Sequence, residues 1–165
     1  MIAEIEPGET AWQTEPRIVL AIDPGTEMSA WVVWDGSRVL RAGIDANETL
    51  RFMLHARSIP HTSAAVEMVA CYGMPVGREV FQTCVWIGRF SEHIDAEMVF
   101  RRDVKLHLCN SAKAKDANIR QALLDRLGHV GTKGNPGPLY GVKSHLWAAL
   151  AVAVYWFDYL EARAA

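Results

Sequence analysis

Arg17-Ile-Val-Leu-Ala-Ile-Asp23-Pro-Gly25 is the stretch on which the fold turns. An apolar run this short, closed by Pro24-Gly25, reads as a central strand covered on both faces. A second run, Ser63-Ala-Ala-Val-Glu-Met-Val69, has the same character and the same flaw. One acid, Glu67, interrupts it, as Asp23 interrupts the first. On strand alternation Asp23 shares a face with Val19 and Ala21, and Glu67 with Ala65 and Val69. An ionised carboxylate buried without a partner costs several kcal/mol. Each acid is therefore either solvated at a strand end or compensated by a basic group, backbone N–H groups, a proton or a metal. If the two strands lie side by side and parallel, both acids point into the crevice at the carboxyl ends, where open α/β sheets place their sites.

Outward from these runs, Ser29 to Trp34 and Arg38 to Ile44 read as strands joined across the turn signal Asp35-Gly36. Asn47 is placed to cap a helix reaching about Arg57, with Leu50, Met53 and Leu54 on one face. A Gly- and Pro-containing loop after Glu67 leads to an amphipathic helix from about Val76 to Ile94. Its apolar positions, Val80, Phe81, Cys84, Val85 and Gly88, repeat at helical spacing, which fits core packing and a dimer face alike. A strand near Glu97 to Phe100, a segment around Val104 to Leu108 and a helix over Asp116 to Leu127, ended at Gly128, come next. Residues 129–140 are irregular. The last helix, Val142 to about Leu160, is apolar nearly all round and is expected to be covered on most sides, by the sheet and by a second subunit. This order predicts one α/β domain over residues 17–165, a mixed sheet with helices on both faces, preceded by a flexible arm over 1–16.

The 165 residues fit a single domain, and a hydrophobic share of 50% with 22% charged residues is ordinary for a soluble globular chain. The net charge of −2 excludes an overall polyanion-binding bias, so any basic surface is local. One such stretch exists: Arg101, Arg102, Lys105, Lys113, Lys115 and Arg120. It reads either as a footprint for DNA phosphates or as a solvated basic face. Cys71, Cys84 and Cys109 stand far apart, without a C-x-x-C pair, and read as reduced, small, buried apolar residues. The acidic N-terminus has no targeting pattern, and the apolar stretch Leu146 to Phe157 is about half of the ~20 residues a membrane span needs. A soluble, cytoplasmic protein without membrane association is expected.

His145, in Lys143-Ser-His-Leu-Trp-Ala-Ala149, falls within the first turn of the last helix. By itself such a histidine is a capping or surface residue as readily as a ligand. Beside two stranded acids, the ligand reading gains.

Taken together these segments are familiar. Val19-Leu-Ala-Ile-Asp23-Pro-Gly-Thr26 resembles the first strand of the RuvC-type Holliday junction resolvases, I-x-G-I-D-P-G-(S/T), with a hairpin after it as here. Val66-Glu67 matches the acid on that family's fourth strand. Arg102-Asp-Val-Lys105 resembles its R-x-V-K, and His145-Leu-Trp-Ala148-Ala-Leu-Ala-Val-Ala resembles the D-A-A-D-A-L-A-(I/V)-A that opens its last helix. The likeness runs in order from about residue 18 to 158 and is strongest to the divergent, phage-borne branch. It implies an RNase H-like fold and a metal-dependent nuclease that resolves four-way junctions as a homodimer. Asp23, Glu67 and His145 fall on metal-binding positions, for two Mg²⁺ or Mn²⁺ ions. Lys105 falls on a catalytic-side phosphate contact. The fourth acid falls on Ala148, which has no donor. Asp158 lies well along the helix from His145, about 20 Å at 1.5 Å per residue, and Asp116, a possible substitute, falls on a basic position of the family.

A phosphodiester is anionic, so hydroxide attack needs the neutralisation that two divalent ions about 3.5–4 Å apart provide. The resemblance makes Asp23 the ligand shared by both. Arg101, Arg102, Lys105, Lys113, Lys115 and, from its flexible loop, Lys133 are expected on the DNA backbone. Relatives carry a junction-probing aromatic three residues past the acid. Here that residue is Ala70, and Tyr72 either takes over by stacking on a base or simply packs. Two other readings stay open: a catalytically inactive branched-DNA-binding protein, and an actin-like or sugar-kinase-type phosphate-binding fragment, whose D-x-G-T the stretch Asp23-Pro-Gly-Thr26 also spells. The last needs a second lobe to enclose ATP.

Overall fold

Five strands, β1 (Val19–Asp23), β2 (Met28–Trp34), β3 (Val39–Ala46), β4 (Ser63–Met68) and β5 (Glu97–Phe100), form one sheet in the order β3-β2-β1-β4-β5. The computed structural model describes residues 16–71, 73 and 75–165. The proposed N-terminal arm, save Pro16, and Tyr72 thus lie outside the described residues. The β1–β2 and β2–β3 pairs are antiparallel, and β1–β4 and β4–β5 are parallel. The expected mixed sheet is thus present, and β1 is its central strand, with Val19, Leu20, Ala21 and Ile22 fully buried.

Strand alternation divides the core in two. Val19, Ala21, Ala65 and Val99 face one layer, built from α3 (Arg101–Cys109), α4 (Asp116–Leu127) and α5 (Leu146–Ala164). Leu20, Ile22, Ala64 and Val66 face the other, built from α1 (Asn47–His55) and α2 (Arg78–Ile94). Helix α5 crosses β1 and β2 with Leu146 and Ala149 to Val154 buried, and Trp156 donates its indole N–H to Ser63 Oγ at 2.9 Å. Sheet, α3 and α4 together cover the part of this helix that is apolar all round.

Several expectations need correction. The segment around Val104, whose type the sequence leaves open, is a helix, α3, which joins α4 and α5 in one layer. Helix α2 turns Thr83, Ile87, Phe90 and Ser91 inward, whereas Phe81 is 61% and Val85 53% exposed. The apolar face read from the sequence is therefore not core. Cys71 is exposed, and Cys84 and Cys109 are only half-buried, because their helices place them at the layer margins. Asn47 does not cap α1 with its side chain. It is the first helical residue, and its side chain is drawn inward by Ser29 and Gly25. Among the described residues no helix is long and apolar enough to cross a membrane.

Candidate active site

Three adjacent parallel strands end at one place. Ile22 pairs with Val66, so Asp23 and Glu67 follow side by side at the carboxyl ends of β1 and β4. Glu67 pairs with Val99 on β5, and Arg101 opens α3 two residues on. Asp23, Glu67 and Arg101 share the phase of Val19, Ala65 and Val99, so all three lie on the α5 side of the sheet. Helix α5 brings His145 to the same crevice: Nδ1 lies 3.7 Å from Asp23 Oδ2. Ser144, just before it, has φ of +49°, a left-handed conformation that costs a non-glycine residue about 1–2 kcal/mol. This backbone twist starts the helix from His145 at the mouth of the crevice.

The loop after Asp23 is tied down. Asn47 donates its side-chain N–H to the Gly25 carbonyl at 2.9 Å, and the Gly25 N–H donates to Ser29 Oγ at 3.3 Å. A Cβ on Gly25 would run into the Met28 carbonyl, so the turn admits glycine alone without rearrangement.

Arg101 is the dominant charge here. Its Nη1 donates to Glu67 Oε1 at 2.9 Å and Oε2 at 3.1 Å, and its Nη2 donates to Asp116 Oδ1 at 2.6 Å. Burial pulls against the guanidinium charge, but Glu67 and Asp116 outweigh it and hold its pKa above the ordinary value. Arg101, expected on the DNA backbone, is half-buried, holds these two acids and lines a groove beside Glu67. The physical reason is its phase: one side of Arg101 meets the buried carboxylate of the neighbouring strand. Asp116, at the exposed N-terminus of α4, is the acid that the sequence brought forward only as a substitute. Its position in the first turn suits the positive end of a helix.

The two stranded acids are held up in pKa. Burial pushes Asp23 to about 7, with the nearby charge of Glu67 adding to the rise and Arg101 opposing it. Burial raises Glu67 as well, against the pull of Arg101. Desolvated carboxylates of this kind are in want of a cation. Asp23 and His145 offer one oxygen and one nitrogen donor of the kind a divalent ion takes. They do not make a two-ion cradle. Ala148 contributes no donor, Glu67 is engaged by Arg101, and among the described residues no three His, Cys, Asp or Glu side chains are arranged to hold a metal.

A groove of about 840 Å³ leads away from Glu67. Its lining includes apolar Val69, Ala70, Val76 and Val80 and basic Arg101, Arg102, Lys105 and Lys113. Lys105 is half-buried, and Arg102 and Lys113 are exposed. Lys115 is exposed next to Asp116, and Lys133 is exposed in the loop closed by the Gly131–Pro136 bridge. Arg120 lies over the Trp147 ring at 4.9 Å on the other side of the site.

No family model matches the chain, and no curated protein is similar to it in sequence. Solved structures are similar to it in fold. RuvC of Thermus thermophilus superposes with a TM-score of 0.61 at 20% identity, over 88% of this chain and 96% of that one. The same organism's RuvC in complex with a Holliday junction substrate superposes with a TM-score of 0.64 at 18% identity, over the same shares. The fold is that of RuvC. At this identity the likeness speaks for the architecture, and the RuvC-like sheet is what sets the carboxyl ends of β1, β4 and β5 side by side.

Proposed function

We propose that the protein is a metal-dependent endodeoxyribonuclease that resolves Holliday junctions or related branched DNA by paired nicking. The observation that carries this reading is the approach of His145 to Asp23, with Glu67 on the neighbouring strand end, at the end of a RuvC-like sheet. Asp23 and His145, with Glu67 beside them, would hold Mg²⁺ or Mn²⁺. When bound, such an ion supplies an activated water and offsets charge developing on the phosphate. Lys105, half-buried in the lining of the groove that also holds Glu67, would bind the phosphate next to the cut, while Arg102, Lys113, Lys115 and Lys133 would hold flanking backbone. Tyr72 would stack on an exposed base.

Paired nicks on a two-fold junction call for a C₂ dimer. The exposed Phe81 and Val85 on α2, which the core does not use, support that helix as its contact surface. One observation favours a second reading, a branched-DNA-binding protein without cleavage: Arg101 already neutralises Glu67.

A synthetic four-way junction and a matched duplex, each incubated with the protein in Mg²⁺ and in Mn²⁺ and mapped for nicks, separate the two. Symmetric nicks in the junction alone are expected, lost in Asp23→Asn with binding retained. Tight junction binding without nicks in either metal would establish the second reading, and no preference for the junction would remove both.

A further inference from the structure

The candidate site lacks the donors for two metal ions, yet its acids are not left uncompensated. Nη1 and Nη2 of Arg101 reach Glu67 and Asp116 together, at 2.9 Å and 2.6 Å. We infer that Arg101 is a built-in cation of this site, holding Glu67 and Asp116 where a second metal ion would otherwise sit, so that the site takes a single divalent ion on Asp23 and His145. This rests on reading the crevice as a metal site.

Charge supports it. Asp23, Glu67 and Asp116 carry three negative charges when ionised, and the guanidinium in contact with two of them removes one. Two negative charges remain, which one divalent ion balances. Lys105 acts on Glu67 more weakly than Arg101 does and faces the groove.

Chemistry supports it as well. A guanidinium never deprotonates, is planar, and can donate to two carboxylates at once with little loss of hydration, which an ammonium does less well. Its backbone is fixed by the β5–α3 junction, so the charge arrives with the fold. Arg101 is then a positioning residue. It sets where Glu67 points, and its loss should change how many ions bind rather than merely how stable the chain is.

The test is a Mn²⁺ titration of the full chain without DNA, followed by calorimetry and by the electron paramagnetic resonance of free Mn²⁺. One ion per chain is expected for the wild type and for Arg101→Lys, and a second ion in Arg101→Gln, where Glu67 and Asp116 are released. Two ions in the wild type, none in the wild type, or a count still at one in a folded Arg101→Gln would overturn the inference. Should Arg101→Gln fail to fold, the wild-type count decides alone. Failure here is distinct from failure of the nuclease reading. Two ions in a protein that nicks junctions would remove only the built-in cation, and one ion in a protein that never nicks would remove only the activity.

Discussion

The hydroxyl of Ser29 donates to Asn47 Oδ1 across 2.6 Å, and both side chains are about 1% exposed. Through its amide nitrogen the same Asn47 holds the Gly25 carbonyl, two residues past Asp23. A buried polar pair of this kind stabilises only while every member is satisfied. Asn47→Ala strands the Ser29 hydroxyl and the Gly25 carbonyl, and about 2–3 kcal/mol of stability should go with them. Urea unfolding reads that loss. The turn after Asp23 should also loosen, so Mn²⁺ affinity should fall in protein that is still folded. A variant within ~0.5 kcal/mol of wild type, the ordinary scatter of surface substitutions, would show that the tether carries no strain or support.

Asp23 gives the site a pH signature in metal-free protein. Its folded-state pKa, about 7, lies above its unfolded value of 3.8, chiefly through burial and then through Glu67. Between those two values the folded chain holds a proton that the unfolded chain has released. Stability from this group is therefore full below pH 4 and is lost as the pH climbs through 7. With chelator present, the melting temperature should fall across that window, and Asp23→Asn should flatten the fall. Adding Mn²⁺ at pH 8 should restore wild type and leave Asp23→Asn unmoved, because the ion takes the place of the proton. An identical pH profile in the two proteins would count against a desolvated Asp23.

What the sequence made legible follows from its physics. Continuous apolar runs identify β1 and β4 because a strand covered on both faces has no polar alternative. The acids at Asp23 and Glu67 stand out for the same reason. Helix α3 is harder, since Val104, Leu106 and Leu108 alternate as in a strand while Val104 and Leu108 alone keep the helical i, i+4 spacing, and only Val104 is buried. Arg101 and Arg102 are neighbours of one charge, and composition cannot tell which turns inward. Phase could have: Arg101 is two residues from Val99, the one buried residue of β5, and so falls on the side of Glu67. On α2, Phe81 and Val85 point away from the sheet, while Thr83 and Ser91 join Ile87 and Phe90 on the core side, an exchange of polar and apolar positions that hydropathy alone does not assign.

At the opposite end of α5, Asp158 ties three helices together. Arg126 donates to it from both terminal nitrogens, at 2.5 Å and 2.7 Å, and His107 Nε2 lies 2.6 Å away. Burial opposes ionisation of Asp158, but the bonds from Arg126 and His107 outweigh it and hold the carboxyl below its usual range. Its contribution is thus present above about pH 4, the unfolded value, and is lost as the pH falls through the lowered folded value, where the unfolded chain binds more protons. Asp158→Asn should cost about 1–3 kcal/mol at pH 7, as expected for a broken, partly buried ion pair, and progressively less toward pH 2. Junction nicking should not change, since this network stands away from the crevice. A constant difference across pH would mean that Asp158 acts by packing rather than by charge.

Ala148 offers the sharpest probe of what the crevice lacks. It follows His145 by three residues, about one turn of α5, and lines the same pocket of about 330 Å³ as Arg101, Asp116 and His145. Its methyl group can hold no ion. Ala148→Asp would add a half-buried carboxylate to acids already raised in pKa, so without metal the variant should be less stable by about 1–3 kcal/mol, the cost of an unpaired desolvated charge. Metal should reverse the sign. A ligand that binds only the folded state stabilises it by RT ln(1 + [L]/Kd), so a tenfold gain in Mn²⁺ affinity adds about 1.4 kcal/mol at saturating metal. The rise in melting temperature between chelator and Mn²⁺ should therefore be larger in Ala148→Asp than in wild type. If the variant melts alike in both conditions, the new carboxylate does not reach the ion, and the pocket at the start of α5 is no part of the metal centre.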